Sequence, residues 1–313
     1  MRPNLTPPAN RRSLATIVTL ALGLAGGQAL AQTAAPGGPP PWTRFASVTP
    51  LYQSDADIDR GGSIGVTGAI VRVGAAGTVG PATFAGVTLS YDYFDYRFSN
   101  PVAFGGAAPW NSVERIGFSV PINHQLADGW AITFVPSFDW FGERGAAGSE
   151  SLAWGAVFAA SKTFADGRRL GLGLGAFDRF EETTVFPYVV VDWPLTPRLK
   201  ITNPAAAGPT GPAGLELRYR TDGGWDLGAG GAYRSTRFRL SASGPVPNGV
   251  GEERGLPLFL RASRDLAPGT SLSVYAGAIV AGSLRLEDSN GNKLAGEDFG
   301  TAPFVAATLS FRF

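Results

Sequence analysis

His124 is the chain's only histidine, and there is no cysteine. Thiolate nucleophiles, disulfides and cysteine-ligated metals are therefore excluded. A lipid-cleaving reaction at His124 would need a serine nucleophile beside it and a group to orient the imidazole. Its sequence neighbours are Asn123, Gln125 and Leu126, and it shares its period with Ile116, Phe118, Val120 and Ile122. That pattern describes an interfacial side chain, and no catalytic residue is assigned. Asp55, Asp57 and Asp59, followed by Gly61-Gly62, alternate like the oxygen ligands of a calcium loop. The twelfth position counted from Asp55 is Val66, where such a loop needs a glutamate, so the string reads as a solvated loop. Glycine-rich runs lack the strand–helix setting of a phosphate loop, and no cofactor is expected.

The remaining chemistry is charge. Lys200, Arg218, Arg220, Arg234, Arg261 and Arg285 fall on the polar phase of successive alternating segments, with Glu216 and Asp226 among them. If that phase lines a water-filled lumen, Arg218, Arg234 and Arg261 form a basic wall that favours anions. If the lumen is filled, the same residues become a salt-bridged packing. What positions them decides between the two.

The positioning elements are strands. In "WAITFVPSFDW" (130–140) Trp130, Ile132, Phe134, Pro136, Phe138 and Trp140 share one face of an extended chain. The same period of two runs through "LGLGLGA" (170–176) and "LELRYR" (215–220). Short turns such as "LADGW", "FADGR", "TDGGW" and "LAPGT" supply hairpin conformations. They alternate with long Gly/Pro/Asn/Ser connections at 99–112, 143–150, 204–212, 241–253 and 287–301. The marks delimit about fourteen strands, the first two at 45–53 and 62–74 and the last two at 270–287 and 302–313. Counts of twelve or sixteen are compatible with the same marks. The expected fold is all-β: a transmembrane, antiparallel, up-and-down β-barrel over 45–313.

Which face is apolar outward follows from length. From Trp130 to Trp140 a strand runs about 33 Å, or roughly 25 Å along the barrel axis at the usual tilt. That is the height of a bilayer-facing band, with an aromatic girdle residue at each boundary. Tyr91 and Tyr93, in "YDYFDYRF" with Phe94 and Tyr96, read as girdle too. Pro136 in the middle of that band calls for a local bulge.

Residues 1–31 have the pattern of a signal peptide: Arg2, Arg11 and Arg12, an apolar core, and Ala29-Leu30-Ala31. Residues 32–44 read as a Pro/Gly-rich periplasmic linker. Loss of the three leader arginines leaves 23 basic against 25 acidic residues, a net charge of −2, which gives nucleic acid no electrostatic attraction. No apolar run after the leader is long enough for a transmembrane helix.

The chain ends in "VAATLSFRF", with Val305, Leu309, Phe311 and the terminal Phe313 on one phase. This resembles the C-terminal signature of bacterial outer-membrane β-barrels, and the stretch "PLYQSDADIDRGGSIGV" (50–66) is similar to an uncharacterised family of them. The resemblance implies a location in the outer membrane, contact with its lipid and lipopolysaccharide, and recognition by the barrel assembly machinery. It carries over no catalytic residues. Three functions are compatible with this reading: a passive pore for small solutes with a weak preference for anions set by the inward arginines, a transporter of hydrophobic compounds, and a non-conducting structural or surface-interaction barrel.

Overall fold

The computed structural model describes residues 42–313. The leader and most of the linker lie outside the described residues. The chain forms seventeen strand segments. They are β1 (Thr43–Asp57), β2 (Ser63–Gly80), β3 (Thr83–Ser99), β4 (Ser112–Ser119), β5 (Ile122–Gln125) and β6 (Trp130–Glu143). Next come β7 (Leu152–Thr163), β8 (Arg169–Arg179), β9 (Glu182–Pro194), β10 (Leu199–Thr202), β11 (Gly214–Arg220) and β12 (Trp225–Ala232). The last are β13 (Arg234–Arg239), β14 (Val250–Ala267), β15 (Thr270–Glu287), β16 (Lys293–Phe299) and β17 (Ala302–Arg312). Three pairs, β4/β5, β12/β13 and β16/β17, are each one stave with a short break, which makes fourteen staves.

Each stave pairs antiparallel with its sequence neighbours, and β1 pairs with both β2 and β17, so the sheet closes on itself. Closure removes the open edges that an isolated sheet would expose. The first strand starts at Thr43, two residues before the expected boundary, and the Arg44 and Phe313 backbones exchange hydrogen bonds at the seam. Both ends of the described chain lie at the end with the tight turns, here called the lower end.

The outward face is the apolar one. Leu172 is 71% exposed and Leu260 66%, and Trp130, Phe134, Phe138 and Trp140 all point away from the lumen. In water each such side chain would forgo about 1.5–3 kcal/mol relative to burial. A barrel wrapped in them is stable when lipid takes the place of water. At the lower rim, cations lie over the girdle rings: Lys162 over Trp130 at 5.6 Å and Arg264 over Trp225 at 5.3 Å. Val305, Phe311 and Phe313 also face outward. Tyr91 is exposed on the outer face and Tyr93 half-buried on the same phase, whereas Phe94 and Tyr96 point into the core.

Pro136 is accommodated without the expected bulge. The pairing of β6 with β4 and β5 keeps one register, from Ser119↔Ser137 to Ile122↔Phe134. The partner stave breaks at Val120-Pro121 instead, directly opposite Pro136. Val120 N still donates to the Pro136 carbonyl at 3.1 Å, so only the return bond from Pro136 is missing there, and Pro121 faces β3, where Gly86 N donates to its carbonyl at 2.9 Å.

Two further features differ from the sequence expectation. β16 occupies 293–299, within the connection expected at 287–301. And β15 carries a bulge at Ala281, whose φ is +51°, with a register shift against β14. The extra residue reverses the alternation above it. Val274 below the bulge faces outward as expected, but Leu284 above it is buried in the core, and Arg285 lies on the opposite face from the lumen phase assigned to it.

Candidate functional site

Staves β10 and β11 are much shorter than their neighbours. β10 pairs with β9 at only three positions, from Lys200↔Pro194 to Thr202↔Asp192. Above that level the side chain of Asn203 takes over. Its Oδ1 accepts from Val191 N at 2.9 Å, and its Nδ2 donates to the carbonyls of Val189 and Gly214 at 2.9 and 3.0 Å. The connection that follows, 203–213, turns into the barrel, with Ala206, Gly208, Pro209 and Thr210 buried. It reaches the opposite wall: Thr49 of β1 donates from Oγ1 to the Ala207 carbonyl at 2.9 Å. A Cβ on Gly208 would lie 2.8 Å from the Tyr275 hydroxyl of β15, so glycine is what allows this approach. The loop therefore spans the lumen.

Above the level where β11 ends, the β12 stave continues as β13, which pairs with β14 on one side only and leans across the barrel until Arg239 bridges Gly142 of β6. Its inner residue Phe238 enters an aromatic cluster with Trp110, Tyr96 and Phe141. Trp110 stacks edge-on against Phe98 at 5.4 Å and Phe238 at 5.4 Å and is 1% exposed. The upper lumen is thus packed. Arg237 and Arg239 reach the tip of the β8–β9 hairpin: Arg237 donates to the carbonyls of Arg179 and Phe180, and Arg239 to Glu181 at 2.8 Å. That tip holds Phe180 and Glu181 at φ +49° and +64°, the turn geometry that usually selects Asn-Gly.

Between the loop and β13 remains a central cavity of about 90 Å³. Arg72, Arg115, Arg179, Arg234 and Arg237 line it, with Asp92 and Asp139 as the only acidic lining residues among the described ones. Asp92 bridges Arg72 and Arg115, the latter at 2.5 Å.

The expected lumen residues divide by height. Arg218 and Arg261 share one level, both opposite Gly228, and each meets an acid there. Arg261 donates to Glu216 at 2.6 Å and to Asp226 at 2.5 Å, and Arg218 to Asp226 at 2.6 Å. Lys200 bonds Asp192 at 3.1 Å. Arg220 is exposed at the lower end. Arg234 sits six residues higher on its stave than Gly228, where it bonds Glu253 at 2.8 Å, and Tyr96 donates to the same carboxylate. Arg218, Arg234 and Arg261 consequently do not form one basic wall. Arg285 pairs with Glu287 at 2.5 Å above the Ala281 bulge. The inward glycines at 173 and 175 make room for the rings of Tyr188 and Phe186 from β9.

Sequence reasoning passed over Arg72, Arg115, Arg179 and Arg237. Each lies on the lumen phase of its strand or on β13, and counting inward arginines on β2, β4 and β8 as well would have found the first three. His124 is exposed at the lower rim, with Nδ1 2.8 Å from Thr83 Oγ1. Asp55 is solvent-exposed, 3.5 Å from Arg97. No group of three or more candidate metal ligands occurs among the described residues.

No family model and no curated protein matches the chain. Solved structures do. The COG4313 outer membrane channel from Pseudomonas putida F1 aligns over 90% of this chain and 97% of its own, at 9% identity and a TM-score of 0.45. The P. putida toluene transporter TodX aligns over 89% and 91%, at 6% identity and TM-score 0.42. The outer membrane protease OmpT from Escherichia coli aligns over 88% and 99%, at 10% identity and TM-score 0.28. At such identities and scores the likeness carries no functional inference, and the closed antiparallel barrel with an apolar outer face is read from this chain's own strands.

Proposed function

We propose that the protein is a non-enzymatic outer-membrane channel that passes small solutes passively, prefers anions, and is narrowed from within. The observation that supports this reading most is the 203–213 connection, which crosses the lumen and is tethered to the far wall by Thr49. A barrel that served only as a surface scaffold has no need of a loop buried across its axis. A constriction does. The arginines that outnumber acids around the central cavity would set the preference for anions.

The test is conductance in a planar bilayer. The wild-type barrel should give a small conductance, and replacing residues 204–212 by a short Gly/Ser turn should raise it several-fold. A loop-shortened barrel that folds and stays electrically silent would overturn the reading and leave a non-conducting barrel.

One feature favours a second reading, passage of hydrophobic compounds. Above Asn203 the edge of β9 has no strand partner, so the wall between β9 and β13 is not hydrogen-bonded there. Uptake of an apolar dye into barrel-containing liposomes, with no matching uptake of small anions, would favour it.

A further inference from the structure

Five arginines line the central cavity, and four of them have a carboxylate. Arg72 and Arg115 share Asp92, Arg234 has Glu253, and Arg237 has Glu287 at 2.6 Å. Arg179 has none within ion-pair distance among the described residues. Its one side-chain hydrogen bond to a side chain runs from Nη2 to the neutral hydroxyl of Thr184 at 3.1 Å. Three of the five also carry an N–H with no hydrogen-bond partner: Arg115 Nε, Arg179 Nε and Arg237 Nη1, the last with the carboxylates of Glu252 and Glu182 beyond hydrogen-bond reach at 3.6 and 3.7 Å. These three residues are only 8%, 3% and 2% exposed. A buried, unpartnered guanidinium N–H costs about 1–3 kcal/mol or more. Three of them around one cavity are expensive unless something fills it.

The rest of the lining sets the shape of what would. Phe94, Phe141, Ile70 and Pro209 present apolar surface to the same space. We infer that the cavity is a binding site for a small organic carboxylate, its head on Arg115, Arg179 and Arg237 and its apolar body against Phe94 and Phe141. A planar guanidinium fork matches a carboxylate in charge and in geometry. The inference rests on the reading of the lumen as a solute path and names the class of solute held there.

Butyrate is a suitable probe, with butanol as its uncharged counterpart and inorganic phosphate as an oxyanion lacking the apolar body. Titrated into the purified barrel in detergent, butyrate should raise the melting temperature saturably, and butanol and phosphate should do so far less. Arg179→Met removes a buried charge that has no acid partner, so it should leave the anion-free barrel as stable as wild type or more so. The same substitution should weaken butyrate binding on the order of tenfold. A purely structural Arg179 would give the reverse: a less stable barrel with the butyrate response intact. Equal response to butanol, a stronger response to phosphate, or no saturable response to butyrate would each overturn the site. Binding is read without current, so the two proposals fail separately. A conducting barrel that binds no butyrate refutes the site alone. A silent barrel that binds it refutes the channel.

Discussion

The lower and upper halves of the barrel use the same kinds of residue to opposite ends. In the lower half several charged side chains stay partly wet: Lys200 and Asp192 are 28% and 29% exposed and Arg218 is 32% exposed, while the Arg261–Glu216 pair at the Arg218 level is already dry. In the upper half the equivalent pairs are dry, with Arg237 and Glu287 at 1% and 2%, and they sit beside an aromatic cluster built on Trp110. The difference comes from strand length. Because β10 and β11 stop early, the chain above them has no wall to continue, and both the 203–213 loop and β13 move inward. Two short strands thus convert a tube into a vestibule with a narrowed top.

The largest effects are expected where that top is dry. Arg237→Met leaves Glu287 with Arg285 alone, takes the cation from beside Glu252 and Glu182, and releases the carbonyls of Arg179 and Phe180. Removing one partner of a buried pair typically costs about 3–5 kcal/mol. Urea titration of the barrel in detergent should show the loss, accompanied by faster proteolysis at the β8–β9 tip. Trp110→Ala should cost about as much, roughly 3–5 kcal/mol, by opening a cavity among four rings. It should also raise bilayer conductance if the cluster is what closes the upper lumen. A Trp110→Ala barrel that is destabilised but conducts like wild type would leave the closure to β13 alone.

An intermediate effect is expected at the level of Gly228. Arg261 is buried and is the cation of Glu216, while its other partner Asp226 also has Arg218, so Arg261→Gln leaves one cation for two acids. The expected loss is about 1–3 kcal/mol, the price of one charge-assisted hydrogen-bonded partner. More diagnostic is the reversal potential under a salt gradient, which should move toward cations. A shift of equal size in Arg220→Gln, at the exposed lower end, would mean that preference is set at the mouth rather than in the vestibule.

This division into halves explains what was legible in the sequence. Where staves lie in the bilayer, lipid fixes which phase faces out, and the alternation of Trp130–Trp140 or of Leu170, Leu172 and Leu174 reads correctly residue by residue. Above the bilayer that constraint lapses. The bulge at Ala281 turns Leu284 inward and the outer phase of β13 is covered by the β8–β9 tip, whereas Phe94 and Tyr96 join the core because they lie on the opposite phase from Tyr91 and Tyr93. A period of two says which side chains share a face and leaves open what covers it. The shortness of β10 was visible, since "LTPR" and "NPAAAG" bracket it closely. Its consequence, a loop buried across the lumen, depends on contacts to Thr49 and Tyr275 that lie far away in the chain.

At the upper rim, outside the bilayer, Asp288 closes the β15–β16 turn by accepting from the backbones of Asn290 and Asn292 and from the Asn292 side chain. The Asn292 hydrogen bonds hold its carboxyl below the usual carboxylate range. A depressed folded-state value contributes stability that is present above the unfolded value and is lost only as pH falls through the folded one. Amide exchange in the 288–292 turn should therefore stay slow until the medium is more acidic than an ordinary aspartate requires, with no change in global unfolding.

The smallest effect is expected at Lys200, and it tests the contrast most directly. Lys200 and Asp192 form an ion pair of ordinary length, but both side chains keep about a third of their surface in water, which screens the attraction. Lys200→Gln should cost less than about 1 kcal/mol. The comparison with Arg237→Met controls for fold and detergent, and each variant removes one cation, from Asp192 in one case and from Glu287, Glu252 and Glu182 in the other. If the two losses were equal, the lower lumen would be as dry as the upper one, and the vestibule would have to be replaced by a barrel packed along its whole length. A difference of several kcal/mol, with Lys200→Gln still shifting the conductance of the open end, follows only if water reaches the lower pair and stops below β13.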